Sequence, residues 1–337
     1  MFSCGSSSWW TWNLGFMSGL ALSIQVVSGV GLALGYEDVS ANVRIEYAER
    51  HGDYWSWRRA HSIGATIYFI AMYSHMARSI LSSSLASSSS WSGCVLYFLS
   101  LTVALLGYSL TEGNMARWAL TVVSSVVLSL PAGESVYPVL VGNYGISSAI
   151  LPRIYAVHFL LGLLSPVVVV WHALEVHHNE SSTDLSTRCG PSGKDFISGG
   201  GVKDSLVTVF TAFLMLEGFD ETSWIWSIIE DMNANDWPQE NKTPEPIGPE
   251  WYVLTLFAGL KLASVASILA TVAITTWAYI RPREGSPWRM LALWITISCF
   301  LLGKIALKAH ESLEEASLIA FMLILASWSI LAELRES

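Results

Sequence analysis

Apolar residues come in runs of about twenty along almost the whole chain, the length at which a helix crosses the hydrocarbon core of a bilayer. The pattern predicts eight spans, at about residues 12–34 (A), 55–81 (B), 91–110 (C), 153–176 (D), 203–221 (E), 251–280 (F), 287–309 (G) and 313–333 (H). Tryptophans stand near their ends, as at Trp9, Trp10, Trp12, Trp55, Trp57, Trp91, Trp251 and Trp288, where an amphipathic ring favours the membrane interface. The serine-rich stretch 82–90 reads as a turn between B and C. Thr111 to Pro152, with Gly and Pro scattered through it, reads as a long connection holding shorter helical pieces.

Composition agrees with this pattern. Of 337 residues, 52% are hydrophobic and only 13% charged, far from the roughly 25% charged share of a soluble domain. No stretch is left over for a separate soluble domain, so one polytopic all-α membrane fold is expected. The net charge of −9 arises partly in two acidic segments, Gly35 to Tyr54 and Asp220 to Glu250, which would suit basic partners. Nothing before Trp9 has the basic flank and apolar core of a cleaved signal, or the character of a transit peptide. The expectation is therefore an organelle-encoded or directly inserted bacterial protein.

Four of the eight histidines lie inside these spans: His61 and His75 on B, His158 and His172 on D, each pair 14 positions apart. Fourteen helical residues make four turns less about 40° and rise roughly 21 Å. Each helix therefore shows two histidines on one face, one near each leaflet. A single hairpin separates B from D, so they run in the same direction and His61 can face His158 while His75 faces His172. Two bis-histidine sites follow, spaced to carry an electron across most of a core about 30 Å thick. Any one of these histidines could instead pair with a polar neighbour inside the bundle. The repeated interval favours ligation. The four cysteines, Cys4, Cys94, Cys189 and Cys299, make no Cys-x-x-Cys-His attachment site, so the haem expected here is held non-covalently.

Glycines repeat the interval. Gly15 and Gly29 on A, and Gly93 and Gly107 on C, are again 14 apart, and a flat macrocycle between helices needs neighbours without side chains. Small-residue helix packing is the other reading of either pair. Arg58, three before His61, Arg78, three after His75, and Arg153, five before His158, stand where haem propionates would emerge, or where a long basic side chain would reach the interface.

At these residues the chain resembles cytochrome b of the quinol:cytochrome c oxidoreductases. The resemblance is carried by Trp12-Asn13-x-Gly15 with Gln25 and Gly29, Arg58-x-x-His61-x-x-Gly64-Ala65, His75-x-x-Arg78, Gly107-Tyr108, and above all Pro249-Glu250-Trp251-Tyr252. It covers about residues 9–333. The 14-residue interval on both B and D, with both halves on one chain, is similar to the respiratory rather than the plastid type.

The resemblance implies a four-helix A–D bundle with two b haems in residues 1–202, followed by helices E–H in residues 203–337. His61 and His158 would ligate the low-potential haem near the outer face, and His75 and His172 the high-potential haem near the inner face. Glu250 and Tyr252 would border an outer quinol-oxidation pocket, where a carboxylate can accept a proton. Standing alone, Glu250 reads rather as an interfacial cap on helix F; beside Pro249, Trp251 and Tyr252 the pocket reading takes precedence. His177, Ser181 and Asp204 would line an inner quinone-reduction pocket; alone, His177 reads as half of an exposed His177-His178 pair, and Asp204 as a residue at a helix N-terminus. The implied partners are a Rieske iron–sulfur protein, cytochrome c1, other subunits of respiratory complex III, a second copy of the complex, ubiquinol and membrane lipid. Nucleic acid is not among them. The implied place is the mitochondrial inner membrane, with a bacterial cytoplasmic membrane as the alternative.

Two other functions account for part of the same residues. A di-haem anchor subunit of a dehydrogenase explains the histidines but not Glu250 and its neighbours or spans F to H. A haem-free transporter with polar intramembrane residues leaves the matched intervals without a reason.

The chain also departs from the family pattern. Thr111-Glu112-Gly113-Asn114-Met115-Ala116 stands in place of Pro-Trp-Gly-Gln-Met-Ser, Lys261 in place of an arginine, and the loop 220–249 lacks the usual Pro-Asp-Asn. In the Trp-Gly-Ala that follows, Ala119 replaces the glycine, a change that in the family it resembles narrows the outer pocket against methoxyacrylate-type inhibitors. Quinol oxidation in membranes carrying this chain is accordingly expected to resist that class, and potent inhibition there contradicts the assignment of Ala119 to the pocket wall.

Overall fold

A computed structural model of the chain describes residues 14–34, 52–81, 87–111, 114–129, 131–142 and 150–178, together with Leu206, 209–210 and Tyr252. The described residues form six helices and no strand: α1 (Leu14–Leu34), α2 (Gly52–Leu81), α3 (Ser87–Ser109), α4 (Asn114–Ser129), α5 (Gly133–Val141) and α6 (Ile150–His178). Spans A to D correspond to α1, α2, α3 and α6, and the helical pieces expected between C and D are α4 and α5. Spans E to H lie outside the described residues apart from Leu206, 209–210 and Tyr252.

The helices α1, α3 and α6 are long and apolar enough to cross a membrane. The predicted span B is not among them, because α2 carries Asp53, Arg58, Arg59 and Arg78 besides its two histidines. Burial supplies the reason this is tolerable. On α2, Arg59, Ala60, Ile63, Ile67, Tyr68, Phe69, Ala71 and Met72 are all buried, and polar residues inside a membrane face protein rather than lipid. The contrasting case is α6, where Leu160, Leu163, Leu164, Val167, Val170, Trp171 and Leu174 are exposed at helical spacing. Such a stripe suits hydrocarbon and would be a liability in water. Serines within the spans bond back to their own helices: Ser18 to Leu14 O at 2.8 Å, Ser74 to Ile70 O at 2.7 Å, Ser100 to Leu96 O at 2.7 Å. Hydroxyls are thereby satisfied where no water can reach them.

The chain divides into two compact units, residues 1–84 with 162–231, and residues 85–161 with 232–337. In the first, α1 packs along α2. Close approach is possible because glycine faces a large side chain on each helix: Gly31 lies against the Trp57 ring, and Gly64 against the Gln25 amide. In the second, Leu106 of α3, Leu120 of α4, Tyr137 and Val141 of α5, and Ile150 and Ile154 of α6 form a buried cluster. In the turn just before α5, Ala132 lies in the left-handed region at φ 62°. Gly142 ends α5 at φ 83°, and its N–H donates to Pro138 O at 2.9 Å. The same carbonyl accepts from Arg153 Nη1 at 3.3 Å, which sets a cation at the negative end of the α5 dipole.

Gly133 has the least room of the described glycines in this turn: a methyl group there would overlap Val127 O and come within 2.8 Å of Leu128 O, backbone atoms that cannot swing aside. Gly133→Ala should therefore destabilise the protein by about 1–3 kcal/mol. Gly162→Ala, where no described atom lies within 4 Å, should not destabilise it. Thermal unfolding of the two variants in detergent checks this; an unchanged melting temperature for Gly133→Ala contradicts the packing described here.

Candidate functional site

The two histidines of α2 stand on the face that meets α1. A methyl group at Gly29 would lie 3.2 Å from His61 Cε1, and one at Gly15 would lie 3.2 Å from His75 Cε1. In the second unit the same relation links α3 to α6, where a methyl at Gly107 would lie only 2.6 Å from His158 Cε1. Three glycines of the 14-residue series thus meet three histidines of the matching series, each through the carbon between the two ring nitrogens. Any larger residue would push the imidazole away, so each glycine lets a ring lie in close contact with the neighbouring helix. The fourth, Gly93, is half-buried on α3 between the buried residues Ser92 and Cys94.

The hydrogen bonds of two rings are defined on their Nδ1 atoms. His158 Nδ1 lies 2.8 Å from the carbonyl oxygen of Val103. A carbonyl can only accept, so Nδ1 carries the proton and Nε2 keeps its lone pair for a ligand. His61 Nδ1 lies 3.0 Å from Ser28 Oγ. The His61 backbone is held as well, since Gln25 Nε2 donates to its carbonyl at 2.8 Å. His75 and His172 belong to one unit, and their ring centroids are 6.4 Å apart with the planes at 87°. Two imidazoles on opposite sides of one metal atom, bonded at about 2 Å, have ring centres roughly 6.3 Å apart. The residues therefore fit haem: His75 and His172 stand at the separation one iron needs, the Nδ1 atoms of His61 and His158 have partners that leave Nε2 for a ligand, and three of the four rings have glycine as a close neighbour. Among the described residues no three His, Cys, Asp or Glu side chains gather as a protein-only metal centre would require.

The expected propionate partners divide. Arg58 is half-buried one turn before His61 on α2. Arg153 is exposed and engages the end of α5 through Pro138. Tyr252 is buried, at 8% exposure. Glu250, Ser181 and Asp204 lie outside the described residues, as do the side chains of Arg78 and His177. Sequence reasoning missed Ser28 and the Val103 carbonyl and assigned no role to Gln25. Ser28 had a signal, because it immediately precedes Gly29; a backbone acceptor has none.

A family model described as cytochrome b/b6/petB matches residues 3–180 of this chain. Cytochrome b of Schizosaccharomyces japonicus is 30% identical over 314 residues, covering 86% of this chain and 79% of that protein. Cytochrome b of Chondrus crispus is 28% identical over 313 residues, covering 87% and 81%. Among solved structures, a chain of a hyperthermophilic respiratory complex III has a similar fold, with a TM-score of 0.68 at 17% identity over 96% of this chain and 90% of that one.

Proposed function

Because the chain belongs to the cytochrome b family, we propose that it is the di-haem, quinone-binding subunit of a cytochrome bc1 complex in an energy-transducing membrane, with quinol:cytochrome c oxidoreductase activity. The observation that carries this reading is the pair of histidine series on α2 and α6 with glycines matched to three of their rings. His61 and His158 would hold one haem b, and His75 and His172 the other. When bound, the haems supply one-electron transfer between the two faces of the membrane. The chain's own residues set ligation, spacing and proton access.

Quinol oxidation releases two protons and two electrons. At the outer face Glu250 would accept a proton from the quinol hydroxyl, with Tyr252 bordering the pocket. One electron would leave to a Rieske iron–sulfur partner and on to cytochrome c1, in keeping with four cysteines so far apart in sequence that they make no paired Cys and His motif for such a centre. At the inner face His177, Ser181 and Asp204 would border the quinone and relay protons from the aqueous side. Proton uptake inside and release outside would contribute to proton translocation. Residues 1–202 would form the haem-binding part and residues 203–337 the part carrying the Pro-Glu-Trp-Tyr motif. The mitochondrial inner membrane suits the reading, as would a bacterial cytoplasmic membrane, with ubiquinone as the substrate and a homodimeric complex as the assembly.

Two expected outcomes follow from the residues named. Replacing Glu250 by Gln removes the base and should lower quinol oxidation about tenfold or more while both b-type optical signals remain. Unchanged turnover would count against the outer site. Replacing Gly107 by Leu should displace the His158 ring and abolish or shift one b-type signal, whereas Gly19→Ala, with no described atom within 4 Å, should keep both. Two intact signals in Gly107→Leu would contradict the placing of His158 as a ligand.

A further inference from the structure

A serine hydroxyl has one hydrogen and two lone pairs. Ser28 Oγ lies 2.7 Å from Ile24 O and 3.2 Å from Gln25 O, besides its 3.0 Å contact with His61 Nδ1. Ser28 is 2% exposed, so water does not enter this count. Both carbonyls can only accept, and the hydroxyl hydrogen therefore points to them, principally to Ile24. If Nδ1 of His61 also acted as an acceptor, the single hydroxyl hydrogen would have to leave both carbonyls facing an oxygen lone pair. The arrangement is consistent in one sense alone: His61 Nδ1–H donates to Ser28 Oγ, and Ser28 O–H donates to the turn of α1 that precedes it.

We propose that Ser28 is a positioning residue for His61: its hydroxyl fixes the tautomer that presents the Nε2 lone pair to iron, and by accepting the Nδ1 hydrogen it strengthens His61 as an electron donor to that iron. The inference rests on the reading of His61 as an axial haem ligand. Outer-shell partners of metal-bound histidines orient the ring and raise its basicity. At His158 the same function falls to the Val103 carbonyl, which no side-chain substitution removes. The Ser28 hydroxyl can be removed, so the two ends of the proposed haem site differ in what a mutation can reach. A stronger donor stabilises the oxidised iron, so loss of the Ser28 acceptor should raise the midpoint potential of the haem bound by His61.

The test uses the intact complex in membranes, with Ser28→Ala and Ser28→Thr read by redox potentiometry and low-temperature EPR. Threonine keeps a hydroxyl that can bond the preceding turn. The expected result is a raised potential and an altered low-spin signal for one haem in Ser28→Ala, an unchanged second haem, and values close to the unaltered protein in Ser28→Thr. Loss of that haem in Ser28→Ala with retention in Ser28→Thr has the same meaning. Unchanged potentials and signals in Ser28→Ala, or equal shifts of both haems, overturn the proposal. Should both variants lose the haem, pulsed EPR of the unaltered protein decides: the nitrogen quadrupole couplings of both remote imidazole nitrogens of this haem should be those of N–H groups engaged in hydrogen bonds, and a remote nitrogen with the coupling of an unbonded N–H overturns it. Absence of any bis-imidazole signal in the unaltered protein overturns instead the haem reading on which the inference stands.

Discussion

An imidazole has two ring nitrogens with opposite needs when it is neutral, one hydrogen to donate and one lone pair to fill, and between membrane helices neither can turn to bulk water. At His158 a backbone carbonyl takes the Nδ1 hydrogen, and at His61 a serine hydroxyl takes it. Each partner lies on the helix that the histidine packs against, α3 for His158 and α1 for His61. Helix contact and ring orientation are therefore one constraint: a helix that drifts from its neighbour loses the acceptor, and the histidine loses the tautomer that leaves Nε2 available.

The same constraint explains where glycine is needed. A ring edge in contact with a backbone leaves no room for a side chain, and Gly15, Gly29 and Gly107 provide that room against His75, His61 and His158. It also explains the division of polarity among the helices. The arginine-bearing helix α2 buries many of its residues, while α6 turns Leu160, Val167 and Leu174 outward and keeps His158 and His172 half-buried, the one against α3 and the other beside His75. Polar residues in the second case are few and spaced, so the helix still reads as a span.

Much of this was readable in the sequence because it depends on helical period alone. The 14-residue interval placed histidines and glycines on matching faces, and the structure brings three glycines to three rings. Helix α2 was predicted as a span from its apolar residues despite its charges. What escaped was chemistry without a period. Ser28 is one serine among many, of which Ser18, Ser74 and Ser100 among others bond back to their own helices, and its second bond to His61 depends on how α1 and α2 are aligned. The Val103 carbonyl belongs to no side chain. Arg153 was placed by position near a propionate; its bond to Pro138 depends on the turn at Gly142, which a sequence pattern of spans does not describe. The motif around Glu250 was read from family likeness, and of its four residues Tyr252 alone is described, as a buried side chain.

The central claim is that four histidines make two separate bis-imidazole sites on one chain. Haem content per chain, measured with the low-spin EPR signals in the unaltered protein and in His61→Leu, His158→Leu, His75→Leu and His172→Leu, tests it most directly. The account predicts two haems in the unaltered protein, loss of one and the same haem in the first two variants, and loss of the other in the last two. A single haem, or loss of the same haem in His75→Leu and His158→Leu, would contradict it.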